Sequence, residues 1–338
     1  MTKKVGVIGA GSWGTAISKM LAEKGYEVCL WCHEREVADG INQNHQNPVY
    51  LQDIVLPKAV EATNSLALAV EDKEVVVSVV PSHHVRTIWQ EAAEYLKPEA
   101  ILVSATKGIE LKSHKLMSQV LKEVLPHHLP ANRVYISGPS FAPEVVRNLP
   151  ASVVIAGEDV RVREKIREFF RTDTFLPFSN EDVTGVEVGG AIKNVIAIAT
   201  GMSDGLGFGH NARAAIITRG LYEMVKIGKA LGANPLTFMG LAGIGDLVLT
   251  CTADLSRNHT VGKLLGEGKK LEEILAGMTM VAEGIPTAEA IYHLAANHKI
   301  NAPICNVVYL MLYEDLTPRE AATWLCSRPL EEELRSIL

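Results

Sequence analysis

Lys193 stands in the segment GVEVGGAIKNVIAIATGM, residues 185–202. Read as a helix, this segment surrounds Lys193 with Val186, Gly189, Gly190, Ile196, Ala197 and Thr200, and no acid is among them. An ammonium on such a packed face is costly to desolvate, so its proton is held loosely. A lysine with a depressed pKa gives and takes a proton near neutral pH, which is acid/base chemistry. The plain alternative is a snorkelling lysine, or one paired with a carboxylate distant in sequence.

A second feature supplies a partner for that chemistry. Residues 5–15 read VGVIGAGSWGT, with Gly9, Gly11 and Gly14 in the spacing G-x-G-x-x-G and Ser12 and Trp13 between them. The spacing informs only when a strand precedes it and a helix follows. Here KVGVI is the strand, TAISKMLAEK the helix and EVCLW the next strand. The unit therefore predicts a Rossmann crossover whose glycine turn and helix N-terminus accept a dinucleotide pyrophosphate. At the end of the second strand stand Cys32, His33, Glu34 and Arg35. His33 and Arg35 suit a 2′-phosphate and Glu34 a ribose hydroxyl, so the expected cofactor is NADP(H), with NAD(H) tolerated. A nicotinamide and a proton-exchanging lysine together suit reduction of a carbonyl, or the reverse.

The elements that carry these residues divide in two. Up to about residue 180, β-branched runs alternate with helical patterns. Strands are expected at 4–8, 27–31, 74–79, 100–104, 133–137, 152–156 and 174–177, with helices at 14–24, 84–96, 113–125 and 160–170. That alternation predicts a doubly wound, mainly parallel α/β sheet over residues 1–180. Beyond it strands vanish, and helices are expected near 181–203, 211–231, 257–266, 281–298 and 317–326. Residues 181–338 thus read as an all-α domain.

Bulk composition narrows the partners. A net charge of −6 gives no general attraction to nucleic acid or anionic membrane. No apolar run reaches the roughly 20 residues that span a bilayer, and the MTKK start lacks a signal-peptide pattern. Five cysteines, an odd number, suit free thiols in a reducing compartment, so a cytoplasmic protein is expected. Cys29 and Cys32 form a C-x-x-C, but on a strand they point to opposite faces. His83 and His84 lack acidic or cysteine partners at metal spacing, and no metal is expected. His127 and His128 sit between prolines and carry no evident chemistry.

Longer motifs extend the reading over the whole chain. They are GAGSWGTA at 9–16, SATKGIE at 104–110, ISGPSFAPEV at 136–145 and VGGAIKNVIAIATGM at 188–202. GFGHNARAAIITRGL at 207–221, GLAGIGDLVLTC at 240–251, SRNHTVG at 256–262 and VAEGIPTA at 281–288 complete the set. With these blocks the chain resembles the NAD(P)-dependent sn-glycerol-3-phosphate dehydrogenases of the bacterial biosynthetic type. The resemblance implies a 6-phosphogluconate-dehydrogenase-like fold. It also implies reversible reduction of dihydroxyacetone phosphate to sn-glycerol 3-phosphate for phospholipid synthesis, and a homodimer. By motif it makes Lys193 the proton donor and acceptor, with Asn194 beside it, Asp246 pairing with it or positioning it, and Thr250 nearby. Lys107 would touch both substrate and cofactor, and Gly138 and Ser140 the substrate. Ser256, Arg257 and Asn258 would hold the substrate phosphate. Ala142, Val281, Glu283 and again Arg257 would join Gly9, Gly11, Ser12, Trp13, Gly14, His33 and Arg35 around the cofactor. Dehydrogenases of β-hydroxyacids or 6-phosphogluconate share this layout but usually carry a G-x-x-G-x-x-M loop, which Gly11-Ser12-Trp13-Gly14 does not match. A non-catalytic NADP sensor would be expected to lack part of the Lys193, Asp246 and Arg257 set.

Overall fold

The structure, a computed structural model, describes residues 4–125, 132–278 and 280–329, so His127 and His128 lie outside the described residues. The chain separates into two compact units. One comprises Met1–Thr106 with Met117–Val183, the other Lys107–Leu116 with Thr184–Leu338. Where sequence texture placed a single boundary near 180, the structure also assigns the short excursion 107–116 to the helical unit. The reason is apolar: Ile109 and Leu116 are buried in the helical core, and a bridge between them closes the excursion into a loop.

The first unit begins with β1 (Lys4–Ile8), α1 (Ser12–Glu23), β2 (Glu27–Trp31) and α2 (Arg35–Asn44). A small hairpin, β3 (Gln46–Asn47) and β4 (Leu51–Val55), precedes β5 (Val60–Thr63), α3 (Leu66–Val70) and β6 (Val75–Ser78). Then come α4 (Val85–Ala92), β7 (Ile101–Ser104), α5 (Met117–Val124), β8 (Arg133–Ser137) and α6 (Ala142–Val145). β9 (Ala151–Ala156), α7 (Val160–Phe170) and β10 (Phe175–Asn180) complete it. Eight strands form one sheet in the order β10-β9-β8-β7-β6-β1-β2-β5. Every pair is parallel except β8 with β9. The expected mainly parallel sheet is present, with β3, β4, β5, α2 and α3 added. These extra elements are two to ten residues long, too short to show a clear period. β1 lies between β2 and β6, so the chain leaves it on one side and returns on the other. Such a switch point opens a crevice at the carboxyl ends of the strands, where the glycine turn emerges.

The second unit is helical: α8 (Val183–Gly205), α9 (Gly209–Ala230), α10 (Asp246–Thr252), α11 (Arg257–Gly266) and α12 (Leu271–Ala276), then α13 (Gly284–Asn297), α14 (Pro303–Tyr313) and α15 (Pro318–Cys326). α8 is long and apolar enough to cross a membrane, but 83% of its apolar window is buried inside the protein, as in the core helix of a globular unit. α11 packs on it backbone to backbone. A Cβ at Gly201 would overlap the His259 carbonyl, and one at Gly262 would overlap the Ile198 carbonyl. The glycines thereby bring the helix bearing Lys193 against the helix that starts at Arg257.

Candidate active site

Lys193 lies midway along α8 and is 6% exposed. The acid missing from its neighbours along α8 comes from α10. A π-helical turn, Leu241–Gly245, precedes that helix, and Gly189 lets its backbone press against α8, since a Cβ there would overlap the Ala242 carbonyl. π turns of this kind recur at functional sites because they re-aim the next side chain. Here the next residue is Asp246, which is 1% exposed and pairs through Oδ1 with Lys193 Nζ. Its other oxygen, Oδ2, accepts from Lys107 Nζ at 2.7 Å. Lys193 Nζ also donates to Thr250 Oγ1 at 3.0 Å, and that hydroxyl donates to the Asp246 carbonyl at 2.6 Å.

Two ammonium groups therefore share one buried carboxylate. Burial pushes Lys193 down to about 7, and the Lys107 charge pushes the same way against the pull of Asp246. Burial acts to raise Asp246, but the two lysines outweigh it and hold the carboxyl below its ordinary range. The carboxylate thus stays ionised while Lys193 carries an exchangeable proton near neutrality. An arrangement of this kind can serve acid/base chemistry, with orienting partners already in place.

A second group of residues sits at the start of α11. Ser256 caps the helix, its Oγ accepting from the His259 N–H at 3.3 Å. Arg257 Nη1 donates to the Val281 carbonyl at 2.7 Å, which tethers an exposed guanidinium. Asn258 Nδ2 donates to Asn194 Oδ1 at 2.9 Å, and its Oδ1 accepts from the Gly284 N–H at 2.9 Å. Asn194 and Asn258 follow Lys193 and Arg257 directly in sequence. Their bond links the proton-exchanging residue to the cationic helix start, and Gly284 ties α13, which follows Glu283, to the same point.

In the first unit, the glycine turn has the features a dinucleotide needs. Gly9 adopts φ 113°, which L side chains avoid. A Cβ at Gly14 would overlap the Gly9 carbonyl, so only glycine lets α1 start this close to the turn. A Cβ at Gly11 would meet nothing within 4 Å, so this face of the turn is open to a ligand. Gly11 is the N-cap of α1 and makes no side-chain cap bond, so main-chain N–H groups at the helix start face the approach. These residues fit a bound pyrophosphate. Ala142, at the start of α6, packs with Ala16 and Val146, and Trp13 packs against that cluster. Trp13 also meets the Phe175 ring at 6.4 Å, so the indole is part of the core as well as of the turn. Ser140 Oγ donates to the Gly138 carbonyl at 2.9 Å, in a turn where Gly138 has φ 133°.

Comparison with known proteins decides which family carries this arrangement. A family model described as the N-terminus of NAD-dependent glycerol-3-phosphate dehydrogenase matches residues 4–163, and its C-terminal counterpart matches 182–323. The chain is 49% identical over 333 residues to glycerol-3-phosphate dehydrogenase (NAD(P)+) of Citrifermentans bemidjiense, covering 98% of this chain and 99% of that protein. The enzyme of Syntrophobacter fumaroxidans is 47% identical over 330 residues, covering 98% and 97%. Among solved structures, glycerol-3-phosphate dehydrogenase of Coxiella burnetii superposes with a TM-score of 0.92 at 36% identity, covering 97% of this chain and 99% of that one. The chain belongs to the NAD(P)-dependent glycerol-3-phosphate dehydrogenase family.

In this family member the expected residues gather in two sets. The helical unit brings together Lys107, Lys193, Asn194, Asp246, Thr250 and Asn258, with Ser256 and Arg257 at the next helix start and Val281 bonded to Arg257. Glu283 precedes the Gly284 N–H bonded by Asn258. The sheet unit brings Gly9, Gly11, Ser12, Trp13, Gly14 and Ala142 to the start of α1. Asn258, expected on the substrate phosphate, has both ends of its amide engaged by Asn194 and Gly284. Arg35 points outward with 88% of its side chain exposed, and its contact with Asp39 is 3.8 Å long. Asn47, which donates to the Ala10 carbonyl, and Tyr50, whose carbonyl accepts from Ser12 Oγ, adjoin the glycine turn without having been singled out from the sequence, although Asn47-Pro48 marks a turn. Cys29 and Cys32 are free thiols, and burial pushes Cys32 up to about 12, so neither is poised for redox exchange. No group of three metal-ligating side chains occurs among the described residues.

Proposed function

We propose that this chain catalyses the reversible, NAD(P)H-dependent reduction of dihydroxyacetone phosphate to sn-glycerol 3-phosphate. The observation that carries the reading is the Lys193–Asp246–Lys107 array, in which burial of the Lys193–Asp246 pair pushes Lys193 down to about 7. The reduced nicotinamide, when bound, supplies a hydride to the C2 carbonyl. Lys193 Nζ then gives its proton to the developing alkoxide, and in reverse the neutral amine removes the hydroxyl proton. Asp246 and Thr250 orient the amine, while Lys107 adds positive charge beside the carbonyl oxygen. Arg257, a planar fork, holds the phosphate together with Ser256 and the first N–H groups of α11.

Charge supports this assignment, since Lys193, Lys107 and Arg257 outnumber Asp246 and the Glu283 carboxylate that acts on Arg257, leaving a local positive surplus for a roughly dianionic substrate. Substrate contacts by Gly138 and Ser140, and cofactor contacts by Trp13, Ala142, Val281 and Glu283, belong to the same proposal. So do a homodimer, supply of glycerophospholipid backbones and a cytoplasmic location, the last supported by five free cysteines. The test is oxidation of NADPH and NADH with dihydroxyacetone phosphate, run beside 3-hydroxyisobutyrate and 6-phosphogluconate in the oxidative direction. Turnover of dihydroxyacetone phosphate alone is expected. Folded protein that leaves it unreduced overturns the reading.

A further inference from the structure

The β3–β4 hairpin is anchored to the glycine turn through Asn47 and Tyr50. Asn47 is fully buried, and its Nδ2 donates to the Ala10 carbonyl and to Thr15 Oγ1, both at 2.8 Å. Its Oδ1 accepts from the N–H groups of Val49 and Tyr50 at 3.1 and 3.0 Å. Ser12 Oγ donates to the Tyr50 carbonyl at 3.0 Å. The Tyr50 backbone is thus fixed against the turn, and its phenol reaches the end of β2. There the hydroxyl donates to Glu34 Oε1 at 3.0 Å. Burial and the Glu34 carboxylate both raise the Tyr50 pKa, which keeps the phenol a donor through neutral pH. The neighbouring cations are placed otherwise: Arg35 is turned to solvent, and the His33 ring lies beside Trp31, 6.1 Å between centroids.

We propose that Tyr50 is a specificity-determining residue for the dinucleotide: by donating to Glu34 it holds a carboxylate where an adenine-ribose 2′-hydroxyl donates, which favours NAD(H) relative to NADP(H) without excluding the latter, the reverse of the preference expected from His33 and Arg35. The end of β2 is where a Rossmann unit reads that position of the ribose. A carboxylate has capacity for further donors besides the phenol, so a hydroxyl adds to the pair without displacing it. A phosphate brings two negative charges to a carboxylate that is already fixed, and must force it aside. Free of Tyr50, the exposed Glu34 samples many rotamers and pays entropy to meet a hydroxyl. This assignment rests on the dehydrogenase reading above.

The experiment is equilibrium titration of NADH and NADPH, followed by nucleotide fluorescence with no substrate present, on the unaltered chain, Tyr50→Phe and Glu34→Gln. Tyr50→Phe is expected to raise the NADH Kd roughly three- to tenfold, with the NADPH Kd unchanged or lower. Glu34→Gln is expected to raise the NADH Kd and lower the NADPH Kd, because it removes the like charge. Either variant binding both nucleotides in the parental ratio overturns the proposal and leaves Tyr50 a packing residue of the hairpin. Glu34→Gln leaves the hairpin anchor intact, so it decides the matter if Tyr50→Phe fails to fold. Failure of the unaltered chain to bind either nucleotide is a different result and overturns the dehydrogenase reading instead.

Discussion

At the scale of single residues, the chemistry rests on how many charges share one buried site. Lys193 alone would lose its proton to desolvation, and Asp246 alone would gain one. Together with Lys107 they keep one carboxylate ionised and one lysine proton exchangeable. Lys193→Ala is expected to lower kcat by about 10²- to 10⁴-fold while leaving dinucleotide Kd unchanged; rapid-mixing kinetics and a nucleotide titration check the two halves. With burial pushing Lys193 down to about 7, ketone reduction that draws on its protonated form is expected to decline as pH rises through that value. Alcohol oxidation requires the neutral amine and rises over the same interval. Lys107 is one of the charges that lower Lys193, so Lys107→Ala should move both pH limbs upward. Unmoved limbs would mean that Lys107 does not act on the proton of Lys193.

Among elements, two devices hold the helical site. The first is the α8–α11 contact, where Gly201 and Gly262 admit neighbouring carbonyls. Gly262→Ala must push the helices apart, with a cost of about 1–3 kcal/mol. The same shift strains the Asn194–Asn258 bond beside Arg257, so substrate KM should rise more than dinucleotide Kd. Denaturant unfolding and steady-state kinetics together test this. The second device is Glu223 of α9, which is 2% exposed and accepts from the N–H groups of Ile304 and Cys305 at 2.7 and 3.0 Å. It caps α14 from a different helix, at a start where Ala302 offers no cap of its own. Glu223→Ala leaves those N–H groups buried and unpaired and should cost about 1–3 kcal/mol, read from the unfolding midpoint.

Across the whole molecule, two of the buried ionisable groups, Glu223 and Lys193, bend the stability profile in opposite directions. Burial raises Glu223 to about 7. Between the ordinary carboxylate range and that value, the folded chain holds a proton that the unfolded chain releases, so this contribution to stability is lost as pH rises. Lys193 behaves in the opposite sense. Between about 7 and its ordinary value of 10.5, the unfolded chain binds the extra proton, so stability climbs with pH. The two contributions meet in a minimum near neutrality. Tm measured against pH should lose its falling limb in Glu223→Gln and its rising limb in Lys193→Met. Each variant retaining the parental slope would place the titration on another group.

Strand and helix periodicity made most of the sheet, the glycine turn and the long helices legible, because those signals repeat within a dozen neighbouring residues. Lys193 was legible for a related reason: a lysine on an apolar, glycine-flanked face is anomalous in its own turn. Its acid was legible only through the family resemblance and not from local pattern, since Asp246 lies 53 positions away and reaches Lys193 through a π turn and the space left by Gly189. The excursion 107–116 likewise joined the helical unit because Ile109 and Leu116 found apolar partners there, which no local pattern states. Tyr50 sits on a short hairpin without a period, and its bond to Glu34 exists because Asn47 fastens that hairpin to the turn. By itself the sequence determined the fold class, the dinucleotide turn and the anomalous apolar setting of Lys193. Only tertiary structure decided which groups set the pKa of that residue and which side chain orients the carboxylate at the end of β2. Local backbone preference is written in adjacent residues, whereas electrostatic environment is made by side chains that meet only after the chain has packed.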